Sequence, residues 1–356
     1  MKTQSEDKWL LVSCLQKSIR KGFKDLAQHY AEKLYDSERS YLVYRLSMIA
    51  IEDIGLGNIA LVHDFLSTEI KKAKIEERGG KDYVMRVVAD LASSVKDRSA
   101  CDVVALTYLD KNNLNIASGK DFEDIFIDDS YSIVSRVFAG WEILGAKKLF
   151  NPLVANIEKN DLERFLDLNA KIIKNEKILD IMRFAHQIHR EPHFISVGLL
   201  YYIYDKELKN KATIGKYTTG QTVDSKNTIR LIQNKWLIDG VDLHTKEGKS
   251  AIIEFSKEKT EVTEYIKTIV NDSDSIIEAL GSLLFRKCGH QVDRRLFYPS
   301  AVNILKETEV LHFKNITSNE NADFFNAIKL LEKNMDLLNE KIEKQFVLAD
   351  PKYFPF

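Results

Sequence analysis

The chain has 356 residues, enough for two domains of ordinary size with real cores. Its composition, 44% apolar and 29% charged, is globular, and a formal net charge of −1 excludes a global field that would attract nucleic acid, leaving that task to local patches. Cys14, Cys101 and Cys288 are too few and too scattered for a disulfide framework or a zinc site, and only 5 prolines and 15 glycines favour an all-α fold.

Apolar residues at helical spacing begin with Trp9, Leu10, Val12, Leu15 and Ile19, which predict a helix over residues 6–21. The polar residues ahead of it exclude a signal peptide, and no apolar run approaches the ~18 residues of a membrane span, so a cytoplasmic protein without a membrane partner is expected. Gly22 separates a second helix carrying Leu26, Ala27, Tyr30 and Leu34. Ser37 or Ser40 is placed to cap a third over Tyr41–Ile51, apolar almost all round and expected to be buried; Gly55 and Gly57 end it. Helices follow at Asn58–Ala73, at Val84–Ala92 beyond Gly79-Gly80, and from Asp97 to Leu109. Lys111–Asp129 is polar and reads as a linker. Helical patterns return at Tyr131–Leu144, Leu149–Glu158, Asp161–Lys174, Glu176–His189 and, after Pro192, Phe194–Leu208. Lys209–Ser225, with Gly215 and Gly220, reads as a loop or small hairpin. The remaining helices are expected at Ser225–Leu237, Lys246–Lys257, Val262–Cys288 and Pro299–Lys314, with a long charged one at Asn321–Phe346.

Two strings stand out. One is Arg45-Leu46-Ser47-Met48-Ile49-Ala50-Ile51-Glu52-Asp53-Ile54-Gly55-Leu56-Gly57-Asn58; the other, ahead of it, is Leu15-Gln16-Lys17-Ser18-Ile19-Arg20-Lys21-Gly22. Together they resemble the region that follows the ATPase module in the RarA/MgsA family of replication-associated AAA+ proteins. There a Lys-Ser-Ile-Arg helix precedes an Ile-Ala-x-Glu-Asp-Ile-Gly-Leu string at similar spacing. Lys96-Asp97-Arg98-Ser99-Ala100 falls where that region starts a short polar helix. The resemblance covers residues 10–115. It implies a helical collar that forms tetramers and is related to clamp-loader collars. The ATPase module belongs N-terminal to this region, where the sequence leaves no room for it, so self-association or docking to a replication machine is expected instead of ATP turnover.

The same residues have a structural reading. Glu52 lies two turns beyond Arg45 on one helix, so the two share a face, and charges such as Arg45, Glu52 and Asp53 in apolar surroundings need partners. A buried or interface ion pair that fixes one packing is expected, with Gly55 and Gly57 allowing the left-handed conformation that ends a helix and Asn58 opening the next.

Thr245-Lys246-Glu247-Gly248-Lys249-Ser250 ends like a phosphate loop, G-x-x-x-x-G-K-[ST], but Leu243 stands where the first glycine belongs. A helix start capped by Thr245, with Glu247 in its first turn, is the alternative reading of the string. Asp242, His244, Thr245 and Lys249 are nevertheless the densest polar cluster of the second half and the first place to seek a ligand. His186, His189 and His193, with Glu191, lack a zinc-protease spacing. The aspartates at 121, 124, 128 and 129 do not follow an EF-hand. Basic clusters occur at Lys17–Lys24, at Lys71–Arg78, and at Arg286, Lys287, Arg294 and Arg295; the last, near His290 and Tyr298, is the best DNA candidate. The final Tyr353, Phe354, Pro355 and Phe356 resemble the partner-binding tip of bacterial single-strand-binding proteins, and burial by fold-back is the alternative.

The expected fold is all-α: a collar-like helical domain at 1–115, a second helical domain at 116–314, and a long helix with an aromatic tail at 315–356. The expected function is that of a non-catalytic replication, recombination or repair accessory protein, of a kind a phage or mobile element would encode. It would be a homo-oligomer that docks a clamp, a polymerase, a single-strand-binding protein or DNA. Direct nucleic-acid binding and a nucleotide-dependent enzyme built on Asp242–Lys249 are the alternatives. No catalytic residue, metal or cofactor is expected.

Overall fold

The computed structural model describes residues 8–69, 73–110, 121–144, 162–189, 193–210, 229–232, 236–289 and 292–349. Its helices are α1 (Lys8–Arg20), α2 (Lys24–Ile49), α3 (Ile59–Glu69), α4 (Ala73–Glu77), α5 (Lys81–Ser93) and α6 (Ser99–Leu109). They continue with α7 (Phe122–Ile127), α8 (Ile133–Ile143), α9 (Leu162–Ile172), α10 (Glu176–His189) and α11 (His193–Lys209). The last are α12 (Lys246–Phe255), α13 (Glu261–Ile269), α14 (Ser273–Gly289), α15 (Pro299–Thr317), α16 (Phe324–Lys333) and α17 (Met335–Ala349). Among the described residues the only sheet is a two-stranded antiparallel one, β1 (Leu231–Ile232) with β2 (Trp236–Leu237), in which Leu231 faces Leu237 and Ile232 faces Trp236. The fold is all-α and multi-helical.

Several expected elements divide differently. The second and third helices run on as α2, with non-helical backbone at Glu38 (φ −146°, ψ 48°). The segment expected as one helix over Val262–Cys288 breaks after α13, because Asp272 accepts both the amide and the hydroxyl of Ser275 and starts α14 afresh. The long C-terminal helix is two, separated at Asn334. Part of the expected helix over Ser225–Leu237 is the β1–β2 pair instead: Ile232 and Trp236 are β-favouring and buried, and Leu237 donates its amide to Tyr30 Oη at 2.9 Å. Within the expected linker, Asp121 caps α7 by accepting the Glu123 amide. The expected helix at Leu149–Glu158 lies outside the described residues.

Contacts gather the chain into two units, each made of separate segments. Unit 1 comprises Met1–Glu38, Val223–Asp293 and Glu309–Phe356; unit 2 comprises Arg39–Thr222 and Arg294–Thr308. This grouping cuts across a linear division at residues 115 and 314.

In unit 1, α1 packs on β2, on α14 and on the 3₁₀ turn Ile238–Gly240, while α12 lies along α17 and α13 against α14 and α16. Its core includes Leu15, Ile19, Phe255, Leu283 and Phe313, with Tyr30 stacked on Trp236. In unit 2, α11 is central and touches α6, α8, α9 and α10, and α3 packs on α10. Ile178, Ile181, Met182 and Ala185 of α10 recur at the i, i+3, i+4, i+7 spacing that makes one apolar face, and all are buried. Burying side chains of this size stabilises the fold by roughly 1.5–3 kcal/mol each. The stretch Lys24–Glu69 contains a window apolar and long enough to cross a membrane, and 61% of that window is buried in the protein, as in a core helix.

Candidate functional site

The longer of the two strings ends α2 with an unusual backbone. Ala50–Ile54 forms a π-helical turn and Gly55–Asn58 a 3₁₀ turn, and α3 follows. A π turn holds an extra residue and shifts the faces beyond it out of α-helical phase. Asp53 is fully buried, whereas Glu52 stays half-exposed. The partner of Asp53 is Arg98, Nη1 to Oδ1 at 3.0 Å, with the two side chains only 2% and 0% exposed. The Asp53 carbonyl also accepts the Asp97 amide at 3.0 Å. Asp97 is buried in turn: its carboxylate accepts the Ser99 amide (3.1 Å), the Ser99 hydroxyl (2.6 Å) and the Leu56 amide (3.2 Å).

The glycines explain how closely the two segments meet. Gly55 has φ +43°, and a Cβ there would stand 3.2 Å from the Asp97 carbonyl oxygen. A Cβ on Gly57 would stand 2.3 Å from the Val95 carbonyl oxygen, a distance no side chain tolerates. Asn58 completes the contact, donating to Ser94 Oγ at 2.9 Å and accepting the Leu61 amide at 3.2 Å as α3 begins. Arg45, expected in a buried or interface ion pair, is half-buried.

Residues 294–308 close the other side of this cluster. Lys96 exchanges backbone hydrogen bonds with the segment, donating its amide to the Arg294 carbonyl at 2.9 Å and accepting the Leu296 amide at 2.7 Å. Arg295 pairs with Asp102 at 2.7 Å, Tyr298 donates to Ser99 Oγ at 2.7 Å, and Thr308 donates to the Asp102 carbonyl at 3.0 Å. Lys96 is fully buried and donates to the carbonyls of Ala92 (2.9 Å) and Ser94 (2.5 Å). Three cations (Lys96, Arg98, Arg295) thus balance three carboxylates (Asp53, Asp97, Asp102), all at most 7% exposed. Burial raises the pKa of Asp97 and of Tyr298. Burial opposes the charge on Arg98, but Asp53 and its neighbours outweigh that and hold the guanidinium above its ordinary value.

Unit 1 has a second buried cluster, built on the shorter string. Lys17 of α1 meets Asp242 at 2.6 Å, with side chains 5% and 0% exposed, and its ammonium lies 5.5 Å from the Phe285 ring centre. Lys21 meets Asp239 at 2.5 Å, and Arg20 donates to the Gly289 carbonyl at 3.2 Å. Burial lowers the Lys17 pKa against the pull of Asp242. Burial would raise Asp242, but the hydrogen bonds from His244 and the charge of Lys17 prevail and hold it well below the usual carboxylate range. Asp242 Oδ1 accepts the His244 amide (2.9 Å) and faces His244 Nδ1 (3.1 Å), while the imidazole itself is exposed. Cys14, buried beside this cluster, has its thiol pushed up to about 12 by burial.

This geometry decides how the Thr245–Ser250 string is used. Thr245 Oγ1 accepts the Gly248 amide at 3.1 Å and caps α12, the helix-start alternative. A Cβ on Gly248 would fall 1.9 Å from the Asp242 carbonyl oxygen, so the glycine admits a backbone contact. Asp242, His244 and Thr245 do come together, while the Lys249 side chain is exposed on α12.

The basic residues at and after the end of α14 fall in different units. Arg286 is buried and Lys287 pairs with Glu332, both in unit 1; Arg294 and Arg295 belong to unit 2, and Arg295 is buried against Asp102. Arg286 and Arg295 therefore offer no exposed charge to a phosphate. His189 is held by Ser47 Oγ at 2.6 Å and lies edge-on to Tyr44, and His186 is buried. Glu191 lies outside the described residues, as do His290 and the expected partner tail Tyr353, Phe354, Pro355 and Phe356. Among the described residues no group of three metal-ligating side chains occurs.

Sequence reasoning missed the partners, Arg98 for Asp53 and Lys17 for Asp242. It also missed Asp129, whose carboxylate gathers Arg136, Tyr202 and Lys206 beside a cleft in unit 2. The one available signal was the acidic run at 121–129. No family model, no curated protein and no solved structure matches this chain.

Proposed function

We propose that the chain is a non-catalytic accessory protein of DNA replication, recombination or repair, acting by self-association and by docking to a clamp, a polymerase, a single-strand-binding protein or DNA. One observation carries it: the Ile51–Asn58 and Lys96–Ser99 strings, which carry the resemblance to the RarA/MgsA collar region, are each other's buried partners through Asp53–Arg98 and Asp97–Leu56. Strings that match a family by chance have no reason to meet in space. A charge cluster buried this completely is worth little in net stability, but it admits only one packing and so holds a rigid helical scaffold on which a docking face can be displayed. Three free cysteines accord with a reducing cytoplasm.

The nucleotide-enzyme alternative is less favoured, because the Gly248 amide and the Thr245 hydroxyl are occupied with each other and the Asp242 carboxylate with Lys17 and His244. Light scattering of the full chain, alone and with single-stranded or forked DNA at moderate salt, tests the proposal. A stable oligomer whose mass rises with DNA is expected; a monomer indifferent to DNA contradicts it.

A further inference from the structure

Unit 2 contains a cleft of about 960 Å³ between the turn joining α9 to α10 and the last turns of α11. Four lysines line it, Lys174 and Lys177 from the turn and Lys206 and Lys209 from α11, against two carboxylates, Glu176 and Asp205. The rings of Tyr201 and Tyr202 share the same lining.

These groups are held in place from behind. Asp129 Oδ2 accepts Tyr202 Oη at 2.7 Å and Lys206 Nζ at 2.6 Å, while Arg136 takes the other oxygen at 2.7 Å. One carboxylate therefore fixes three donors, two of them cations, and leaves a positive excess. Arg136 and Lys206 lie 5.4 and 5.9 Å from the Tyr202 ring centre, which further restricts that ring. On the facing turn, Asn175 donates to Tyr201 Oη at 3.2 Å and accepts the Lys177 amide at 3.1 Å. Lys209 is neutralised by Asp205. Lys174 and Lys177 are exposed, and among the described residues neither has an ion-pair partner; the Lys174 ammonium approaches only the Ala170 carbonyl, at 3.5 Å.

Lysines free to meet phosphates, next to tyrosine rings fixed at their rear edges, are the combination that binds an unpaired strand. The cations follow the backbone, and the rings accept any base by stacking. A duplex hides its bases and could use only the lysines. We propose that this cleft binds single-stranded nucleic acid, with Lys174 and Lys177 on the phosphates and Tyr201 and Tyr202 against the bases. It deepens the preceding proposal and rests on it for the choice of a nucleic-acid partner, although residues 172–210 lie outside the region that carries the family resemblance.

Fluorescence anisotropy of labelled oligothymidylate, oligouridylate and a duplex of equal length, with the full chain as titrant, tests the site. The wild type is expected to bind a single strand more tightly than the duplex, more weakly as salt rises. Lys174→Glu with Lys177→Glu, both at exposed positions, should keep the circular dichroism spectrum and lose affinity on the order of tenfold or more. Tyr201→Leu should weaken single-strand binding and spare any duplex binding. Preference between oligothymidylate and oligouridylate identifies the polymer, and binding of either that the double charge reversal weakens supports the site. Tight binding unchanged by the double charge reversal overturns the cleft but leaves the DNA-maintenance proposal standing. Absence of single-strand binding by the wild type also overturns the cleft, and the oligomer measurement then decides the broader proposal separately.

Discussion

Each unit buries charge beneath one of the two strings, but with different chemistry. In unit 1 the central cation is a lysine, Lys17, and its carboxylate partner Asp242 also touches the exposed His244, so one edge of the cluster reaches water. In unit 2 the cations Arg98 and Arg295 and the carboxylates Asp53 and Asp102 are all closed off, and Lys96 donates to two backbone carbonyls. Arginine suits the closed cluster because its guanidinium stays charged when desolvated and offers several fixed donors. A lysine is a single strongly hydrated point charge, tolerated where its partner keeps other donors and a route to solvent. The closed cluster should therefore fail abruptly when one member is removed, and the open one should adapt.

The largest effect is expected for Arg98→Ala. It leaves Asp53 buried without its charge partner, and breaking such a pair costs about 3–5 kcal/mol. Denaturant unfolding should show a midpoint far below wild type, or no folded unit 2 at all. Lys17→Met should cost less, roughly 1–3 kcal/mol, because Asp242 keeps both hydrogen bonds from His244. Equal losses from the two substitutions would remove the distinction between a closed and an open cluster.

The next effect concerns the close approaches that seal each cluster. Gly57→Ala and Gly248→Ala both drive a methyl into a backbone carbonyl, at 2.3 Å from Val95 and 1.9 Å from Asp242. Each should destabilise by about 1–3 kcal/mol, the usual range for overpacking. Melting temperatures of the two variants check this; a wild-type melting temperature for Gly57→Ala would mean that the string does not pack on residues 95–97.

The smallest effect is a pH dependence within unit 1. Burial and the charge of Arg286 lower the His312 pKa from 6.5 to about 4, so the folded state keeps the ring neutral where the unfolded chain would protonate it. Stability is then flat above pH 6.5 and falls as pH drops from 6.5 towards 4, by on the order of 2 kcal/mol. His312→Asn should flatten that window in a stability-versus-pH series. The carboxylate of Asp242 acts separately: its lowered pKa contributes stability that is lost only as pH falls below 3.8.

Much of the helical fold was legible because apolar spacing reports local faces directly, as in α10 and α12. The strings at 45–58 and 96–100 were also visible, and the importance of Gly55 and Gly57 with them. What the sequence hides is pairing over distance. Lys17 and Asp242 are 225 positions apart, and nothing in either neighbourhood names the other. Arg45 and Glu52 share a face on a regular α-helix, but the π turn at Ala50–Ile54 breaks that phase, and Asp53 is the fully buried acid. The apparent phosphate loop shows the same limit: Gly248-Lys249-Ser250 fits either chemistry until the Thr245 cap and the Asp242 carbonyl are placed beside it.

A double-mutant cycle on Asp53 and Arg98 tests most directly whether the two strings form one buried unit. Asp53→Leu, Arg98→Met and the double variant would be compared by denaturant unfolding. Each single substitution should be strongly destabilising, because it removes one member of a buried charge pair and keeps the other, and the double should recover most of that loss, because it removes both. Losses that simply add would show that the two side chains are not partners, and the observation on which the proposed function rests would go with them.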